Sequence, residues 1–203
     1  MIFRSGLAFV CLLCVVCGVQ GETNELAPVA QVVLSSTDTL ARAGALASAK
    51  DWQGAVDLYR DVLKTSPADL KAAMGLGTSL LQLKRYKDAI DVLVPLLVQL
   101  PDDPALKNNI AWIYATCVDP AVRNPGQAVK LAQQATLALP NNPDVWNTLA
   151  EAHYAAAEYD IALRTARIAL QLVQEQAPSR AAGFFETLRH CSKALEPEKA
   201  AAP

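Results

Sequence analysis

The sequence predicts an all-α fold, a short solenoid of stacked helix–turn–helix units, and three observations support this. An alanine recurs at intervals of 34, 39 and 34 residues, at Ala55, Ala89, Ala128 and Ala162. A proline follows each of the first three alanines at a distance of twelve residues. Apolar residues make up 52% of the 203-residue chain and aromatic residues only 6%, which favours closely packed helices over a sheet. A repeat near 34 residues is typical of helical hairpins that stack, so we expect function to reside in a surface.

The N-terminus has the pattern of a secretory signal. A cation precedes an unbroken apolar run over 7–17, and small or polar residues follow it up to Gly21. We expect residues 1–21 to be a signal peptide that is cleaved after Gly21, with no stable membrane span left in the mature chain. The alternative is a retained anchor, but the run reaches only about 17 Å, short of the roughly 30 Å hydrocarbon core. Lipoprotein processing at Cys17 is a weaker alternative, because the large Val16 precedes it.

The charges and cysteines exclude several other classes. The net charge is −2 and no basic stripe exists, so we do not expect a nucleic-acid partner. Cleavage of the signal leaves Cys117 and Cys191 in separate elements, and we expect two buried free thiols rather than a disulfide framework. We expect residues 22–35 to form a flexible lead-in and residues 196–203 to form a disordered tail.

Aligning the chain on the recurring alanine divides it into four units. We expect these units to span 36–69, 70–103, 104–142 and 143–176. Each helix carries apolar residues at three- and four-residue spacing, so each buries one stripe, and stacked neighbours cover faces that a lone hairpin leaves open. Small residues recur where the first helix must approach its partner closely, at Ala43, Gly77, Ala111 and Ala150.

Helix starts, stops and connections follow from prolines and polar residues. The pairs Asp103-Pro104 and Asn142-Pro143 predict capped helix starts. Pro95 falls inside the second helix of unit two, where we expect a kink. Unit three carries a five-residue insertion, which predicts a protruding loop over 117–126. A capping helix is predicted over 177–195, with four side chains covering the end of the stack, Phe184, Phe185, Leu188 and Leu195.

Several positions at once resemble the tetratricopeptide repeat family. Unit two carries that family's signature in order, at Leu76, Gly77, Leu80, Tyr86, Ala89, Leu93, Leu96 and Pro101. The resemblance covers about residues 36–176, and four units share its phase. It implies a right-handed superhelix whose first helices line a concave groove that binds a peptide or partner protein. The segment 108–117 resembles a variant unit of bacterial members, which implies an adaptor or assembly factor of the bacterial envelope, periplasmic or secreted.

The register places a set of side chains on the groove. These are Lys71, Met74, Thr78, Asn108, Asn109, Trp112, Asn147, Glu151 and Tyr154. Asparagine suits peptide capture because its amide both donates to a carbonyl and accepts from an N–H group, although the asparagines are equally explained as capping or loop-bonding groups. Two interpretations of Trp112 are open, as a groove anchor or as packing between units two and three. Asp144 lies where a carboxylate clamp would need a cation, so we do not expect binding of that type.

The residues that could perform chemistry form no catalytic or metal pattern. His153 and His190 lie on different elements, and neither has metal-ligand spacing. Cys191 follows His190, but adjacent helical residues point apart and cannot act as a nucleophile–base pair. We therefore expect no enzyme, no metal and no cofactor. Two alternatives are kept: self-association as a homodimer through the first unit or the loop, and, more remotely, an enzyme with an unrecognised site.

Overall fold

The computed structural model describes residues 26–195, with side chains from residue 36 onward. The predicted signal peptide 1–21 and the predicted tail 196–203 lie outside these described residues. Over 26–195 the fold consists of nine α-helices and one short 3₁₀ turn with no strand, which confirms the all-α class. The helices are α1 (Leu26–Ser48), α2 (Trp52–Thr65), α3 (Leu70–Gln82), α4 (Tyr86–Leu96), α5 (Pro104–Thr116), α6 (Pro125–Ala138), α7 (Pro143–Ala155), α8 (Tyr159–Gln176) and α9 (Ala181–Ala194), with the 3₁₀ turn at Pro178–Arg180.

The helices stack as hairpins in chain order. Helices α1, α3, α5, α7 and α9 form one layer, in which each contacts the next, and the second helix of each hairpin packs between two members of this layer. The recurring alanines at 55, 89, 128 and 162 are fully buried at these contacts. The predicted close approach is visible at Gly77, where an added Cβ would lie 2.2 Å from Leu93 Cδ2. The stack is thus a helical solenoid whose neighbours cover each other's apolar stripes.

Side chains cap most of the second and later helices at their N-termini. The carboxylate of Asp103 accepts a hydrogen bond from Leu106 N at 2.8 Å, and the amide of Asn142 accepts one from Asp144 N at 2.9 Å. Proline follows at the start of both helices, so both predicted caps are confirmed. Asp51 and Asp69 cap α2 and α3 in the same way. Each cap satisfies an amide group that the helix itself leaves without a partner.

The turns within units one, two and four share one backbone conformation. Lys50, Lys84 and Ala157 have φ values of 62°, 57° and 62°, in the left-handed region. In each turn the following amide bonds back to the carbonyl five residues earlier, for example Arg85 N to Leu80 O at 2.9 Å. This is the helix-ending motif in which glycine is preferred, and here lysine or alanine accepts the strained conformation.

The start of the first helix differs from the expectation. Helix α1 begins at Leu26, inside the segment 22–35 that we expected to be flexible. The sequence does carry a helical signal there, because apolar residues recur at three- and four-residue spacing at Leu26, Val29, Ala30, Val33 and Leu34. Among residues 26–195, no helix combines the length and the apolarity needed to cross a membrane.

Pro95 ends its helix rather than kinking it. Helix α4 stops at Leu96, one residue after the proline. The chain continues as a tighter turn, in which Leu97 N bonds to Val94 O at 3.1 Å and Gln99 N bonds to Leu96 O at 3.0 Å. Proline removes one amide donor and crowds the preceding turn, so three-residue hydrogen bonds replace the α-helical ladder. As a result α4 packs less extensively on α5 than α2 packs on α3.

The insertion in unit three forms a loop between α5 and α6 that is anchored at both ends. Cys117 and Val122 are buried, while Val118 between them is exposed. Asn124 N donates to Tyr114 O at 3.0 Å and closes the loop against α5. At the end of the stack, α9 buries Phe184 and Leu195, but Phe185 remains 48% exposed, so the expectation that Phe185 covers the stack is wrong.

Candidate binding groove

A concave cavity of about 570 Å³ lies where units two, three and four meet. Its floor comes from α5 and α7, and its walls come from the α3–α4 turn and from the segment before α9. The residues lining it include Lys84, Tyr86, Asn108, Asn109, Trp112, Asp144, Asn147 and Arg180. The first helices therefore present one side to solvent, as the stacking of the hairpins requires.

A second cavity of about 450 Å³ continues the first toward α9. Both are lined by Trp112, Asp144 and Asn147, so they form one channel, which we call the groove. The part near α9 adds Glu151 from α7, with Glu186 and His190 from α9. The groove thus runs from unit two, across α5 and α7, to the terminal helix.

The structure brings five of the nine predicted site residues into the groove. These are Asn108, Asn109, Trp112, Asn147 and Glu151. Lys71, Met74 and Thr78 lie on α3 outside both cavities; Lys71 is exposed and Met74 packs against the apolar core. Thr78 Oγ1 accepts a hydrogen bond from Asn109 Nδ2 at 3.2 Å, which ties α3 to α5. Tyr154 is partly covered by α9, because its ring lies edge-on to His190 at 3.7 Å between centroids.

Asn108 and Asn147 have an unusual arrangement. Each is the fifth residue of its helix, so they are equivalent positions of neighbouring units on α5 and α7. The Oδ1 atom of each is buried, and neither accepts a hydrogen bond from any described residue. A buried acceptor without a donor costs about 1–3 kcal/mol, so an N–H group that reached either oxygen would offset this cost.

Trp112 takes part in both the groove and the core. It is half-buried, lines both cavities and packs against the core cluster formed by units one to three. The two interpretations from the sequence are therefore not exclusive for this side chain. Its accessible part offers rigid apolar area at the centre of the groove, where a binding anchor is most effective.

Charges are arranged differently at the two ends of the groove. Lys84 and Arg180 line the part near unit two, whereas the part near α9 is lined by Glu151 and Glu186 together with Arg189 and His190. Asp144 between them is paired with Arg180 at 2.6 Å, so its charge is compensated. Glu151 faces His190 Nδ1 at 3.6 Å. Sequence reasoning missed Arg180 and the α9 residues, because nothing in the repeat register places the terminal helix against α7.

In the described part of the chain, both cysteines and one of the two histidines are buried. Cys117 and Cys191 are free and buried, as expected. Burial, followed by the charge of Glu151, raises the pKa of the Cys191 thiol to about 12, which disfavours the reactive thiolate. His153 is buried and its Nδ1 lies 2.5 Å from Glu158 Oε2. No group of three or more metal-ligating side chains occurs among the described residues.

Comparison with known proteins identifies the repeat. A sequence model of the tetratricopeptide repeat matches residues 46–113, which run from the end of α1 through most of α5. Residues 46–113 therefore carry tetratricopeptide repeats. Such repeats are protein–protein interaction modules whose stacked helices create an extended concave binding surface.

Solved structures share the fold at low sequence identity. MamA from Desulfovibrio magneticus RS-1 superposes with a TM-score of 0.59 at 22% identity, over 70% of this chain and 77% of that one. A thermophilic tetratricopeptide repeat protein of Thermus thermophilus gives a TM-score of 0.56 at 16% identity, over 79% of this chain and 98% of that one. Both confirm a helical solenoid of tetratricopeptide repeats.

One curated relative is a protease whose name refers to β-barrel assembly. The β-barrel assembly-enhancing protease of Yersinia pestis is 29% identical, over 41% of this chain and 23% of the relative. The chain therefore spans less than a quarter of the length of that protease.

Proposed function

We propose that this tetratricopeptide repeat protein is a non-enzymatic adaptor or assembly factor of the bacterial cell envelope, which holds an extended peptide segment of a partner protein in the groove. The observation that carries the proposal is the pair of unpartnered amide oxygens on Asn108 and Asn147. They recur at equivalent positions of adjacent units, so they suit a ligand that extends along the groove and presents backbone N–H groups.

The charges of the groove suggest how such a peptide is oriented. Lys84 favours acidic side chains near unit two, since the charge of Arg180 is already paired with Asp144, and exposed Lys71 lies on the neighbouring α3. Near α9 the carboxylates of Glu151 and Glu186 lie beside Arg189 and His190, so this end carries both signs of charge. Trp112, between the two ends, supplies the apolar anchor. The proposed ligand is therefore an extended segment with an acidic part near unit two and an apolar side chain at its centre.

The sharpest test separates binding from stability. In the variant Asn108→Ala/Asn147→Ala, two buried acceptors without donors are removed, so folding stability should stay within about 0.5 kcal/mol of the parent or rise. Affinity for the captured partner should fall by about 2 kcal/mol or more. Affinity capture from an envelope extract with residues 22–203 as bait, followed by titration of the captured partner, measures the second quantity, and urea unfolding measures the first.

The matched control is Asn141→Ala, which changes an exposed asparagine outside the groove. A partner retained equally by the parent, the control and the double variant would contradict groove binding. Trp112→Ala provides a second measurement. Because this side chain is only half-buried, its loss should cost less stability than the about 3–5 kcal/mol of a core aromatic, and an unchanged affinity for the captured partner would contradict its role as a groove anchor.

Export is part of the proposal and has its own test. The signal pattern over 7–17 and the small residues up to Gly21 support cleavage, as does the envelope-related name of the Yersinia pestis relative. The mature protein should begin at Glu22. N-terminal sequencing of the chain recovered from a bacterial periplasmic fraction checks this, and recovery of the uncleaved chain from the cytoplasm would contradict export.

Self-association is a second candidate function, favoured by the length of α1. Ser36 Oγ lies 3.2 Å from Thr65 Oγ1 at the end of α2, so the first ten residues of α1 precede the point where α2 ends. This extension is about 15 Å long and carries apolar residues at helical spacing. Light scattering on the mature chain at several concentrations tests it, and a constant monomer mass would contradict a homodimer.

A further inference from the structure

A separate cleft of about 530 Å³ lies between α8 and α9, at the end of the solenoid. We call it the terminal cleft. It is lined by Leu163, Arg167, Phe185, Leu188, Arg189, Ser192 and Lys193. Of these residues, Arg189 alone also lines the groove described above, so the terminal cleft is a different surface from the proposed peptide site.

The terminal cleft combines an apolar floor with a basic rim. Leu163 and Leu188 are half-buried at its floor, and Phe185 is 48% exposed beside them. The rim carries Arg167, Arg189 and Lys193, and no carboxylate lines the cleft. Within residues 36–195, none of these three cations forms an ion pair or hydrogen bond with a carboxylate. The surface therefore favours a ligand that is apolar in the middle and negatively charged at its edges.

The stacking pattern indicates the shape of that ligand. Helix α9 contacts α8 and α7, as α3 contacts α2 and α1, so it stands where the first helix of a fifth unit would lie. In each of the four units a second helix packs on the first, and over the described residues no second helix follows α9. The exposed face of α9 has helical spacing at Ala182, Phe185, Arg189 and Ser192. Small residues at both ends of this stripe leave room for close approach by another helix.

We propose that the terminal cleft docks an acidic amphipathic helix of a partner protein. Its apolar stripe packs on Phe185 and Leu188, and its carboxylates pair with Arg167, Arg189 and Lys193. This interaction goes beyond the proposed groove function, since it uses another surface and a ligand of different secondary structure.

The probe is a fluorescent peptide of about the length of α9, which has 14 residues. It carries Leu at i, i+3, i+4 and i+7 and Glu on both flanks of this stripe. Its first comparison peptide replaces every Glu with Lys, and its second carries a central Pro that breaks the helix. Anisotropy titrations with the full chain should show binding of the acidic peptide, weaker binding at high salt, and at least about tenfold weaker binding of both comparison peptides.

Two variants of the chain locate the site. Arg167→Glu/Lys193→Glu reverses two rim charges that lie outside the groove, and it should weaken binding of the acidic peptide by about tenfold or more. Phe185→Ser removes an exposed side chain, so it should lower affinity by about tenfold without moving the unfolding midpoint. The matched charge control is Arg60→Glu/Arg123→Glu, which changes two exposed arginines elsewhere and should leave affinity unchanged.

Other outcomes overturn the proposal. Equal binding of the Pro-containing peptide would show that no helix is recognised, and absence of binding by the acidic peptide would show that the cleft is no helix site. Vesicles of phosphatidylglycerol are tested in parallel. The cleft serves an anionic lipid surface instead if the chain binds these vesicles, if Arg167→Glu/Lys193→Glu abolishes that binding, and if the acidic peptide does not bind. The groove variant Asn108→Ala/Asn147→Ala should keep its affinity for the acidic peptide, so failure of one proposal is distinguishable from failure of the other.

Discussion

The two halves of the solenoid build the same hairpin stack from different side chains. Among the described residues, every fully buried leucine and isoleucine lies on helix α3, α4 or α5, at Leu80, Leu93, Leu106, Ile110 and Ile113. From α6 onward, alanine dominates the fully buried positions, for example Ala128, Ala132 and Ala169. The α5 and α7 helices accordingly pack more extensively than α3 and α5 do. Large side chains fill the space between helices that lie apart, whereas small side chains let helix backbones approach each other. The first half should therefore be more sensitive to a loss of side-chain volume, and the second half to a gain.

The largest expected effect is the loss of a large side chain from the first half. Leu93→Ala leaves a cavity at a fully buried site between α4 and α3, and it should lower the free energy of unfolding by about 3–5 kcal/mol. Urea unfolding measures this loss of stability, and in the Leu93→Ala variant amide hydrogen exchange should be faster in α3 and α4 than in α8. The matched control is Leu137→Ala, at a leucine that is 83% exposed, which should change stability by less than about 0.5 kcal/mol. Similar losses for both leucines would contradict the assignment of the core.

The second half should be sensitive to added volume instead. Ala132→Leu inserts three carbon atoms at a fully buried contact of α6, and it should cost about 1–3 kcal/mol through overpacking. Ala138→Leu, at an exposed position near the end of the same helix, is the control for leucine itself. If Ala132→Leu instead raised the unfolding free energy, the alanine-rich interface would contain unfilled space, and the comparison between the halves would fail.

The difference between the halves also explains which features could be predicted from the sequence. The repeat period, the capped starts at Asp103 and Asn142 and the buried alanines follow from local rules, because each depends on residues a few positions apart. Apolar spacing also predicts the continuation of α1 to Leu26, but a repeat of fixed length places the start of the first unit at residue 36. The sequence places Pro95 inside the second helix of unit two, but whether a proline kinks or ends a helix depends on what packs beyond it.

The candidate site could be predicted only in part. The register brought Asn108, Trp112 and Asn147 to one surface because first helices of neighbouring units face the same side. The contributions of Arg180 and His190 depend on how the end of the chain packs on α7. Arg180 pairs with Asp144 and His190 faces Glu151, and the partners are separated by 36 and 39 positions in the sequence. The sequence also could not reveal that Thr78 and Asn109 satisfy each other, while the amide oxygens at positions 108 and 147 remain without donors.

A pH titration measures how well the second half excludes water. The pKa of the Cys191 thiol is raised to about 12 from an ordinary value of 9.0, mainly by burial. Above pH 9 the unfolded chain therefore loses this proton while the folded chain keeps it, so stability falls with rising pH up to about pH 12. The slope due to this group is at most about 1.4 kcal/mol per pH unit. Cys191→Ala should show a shallower decline than the parent under reducing conditions, whereas exposed Ser192→Ala should not. Equal declines for all three chains would mean that the thiol is hydrated.

The smallest expected effect comes from the two helical glycines that mark the extremes of packing. An added Cβ at Gly183 on α9 meets no atom within 4 Å, whereas one at Gly77 would collide with Leu93. Gly183→Ala should therefore raise the unfolding free energy by about 0.5–1 kcal/mol, since alanine loses less backbone freedom in a helix. Gly77→Ala should lower it, and the double variant Gly77→Ala/Leu93→Ala should lose less stability than the sum of the two single losses, because the added methyl group no longer collides with the Leu93 side chain. Urea unfolding of the three variants measures these differences, and a stabilising Gly77→Ala would contradict the close approach of α3 and α4.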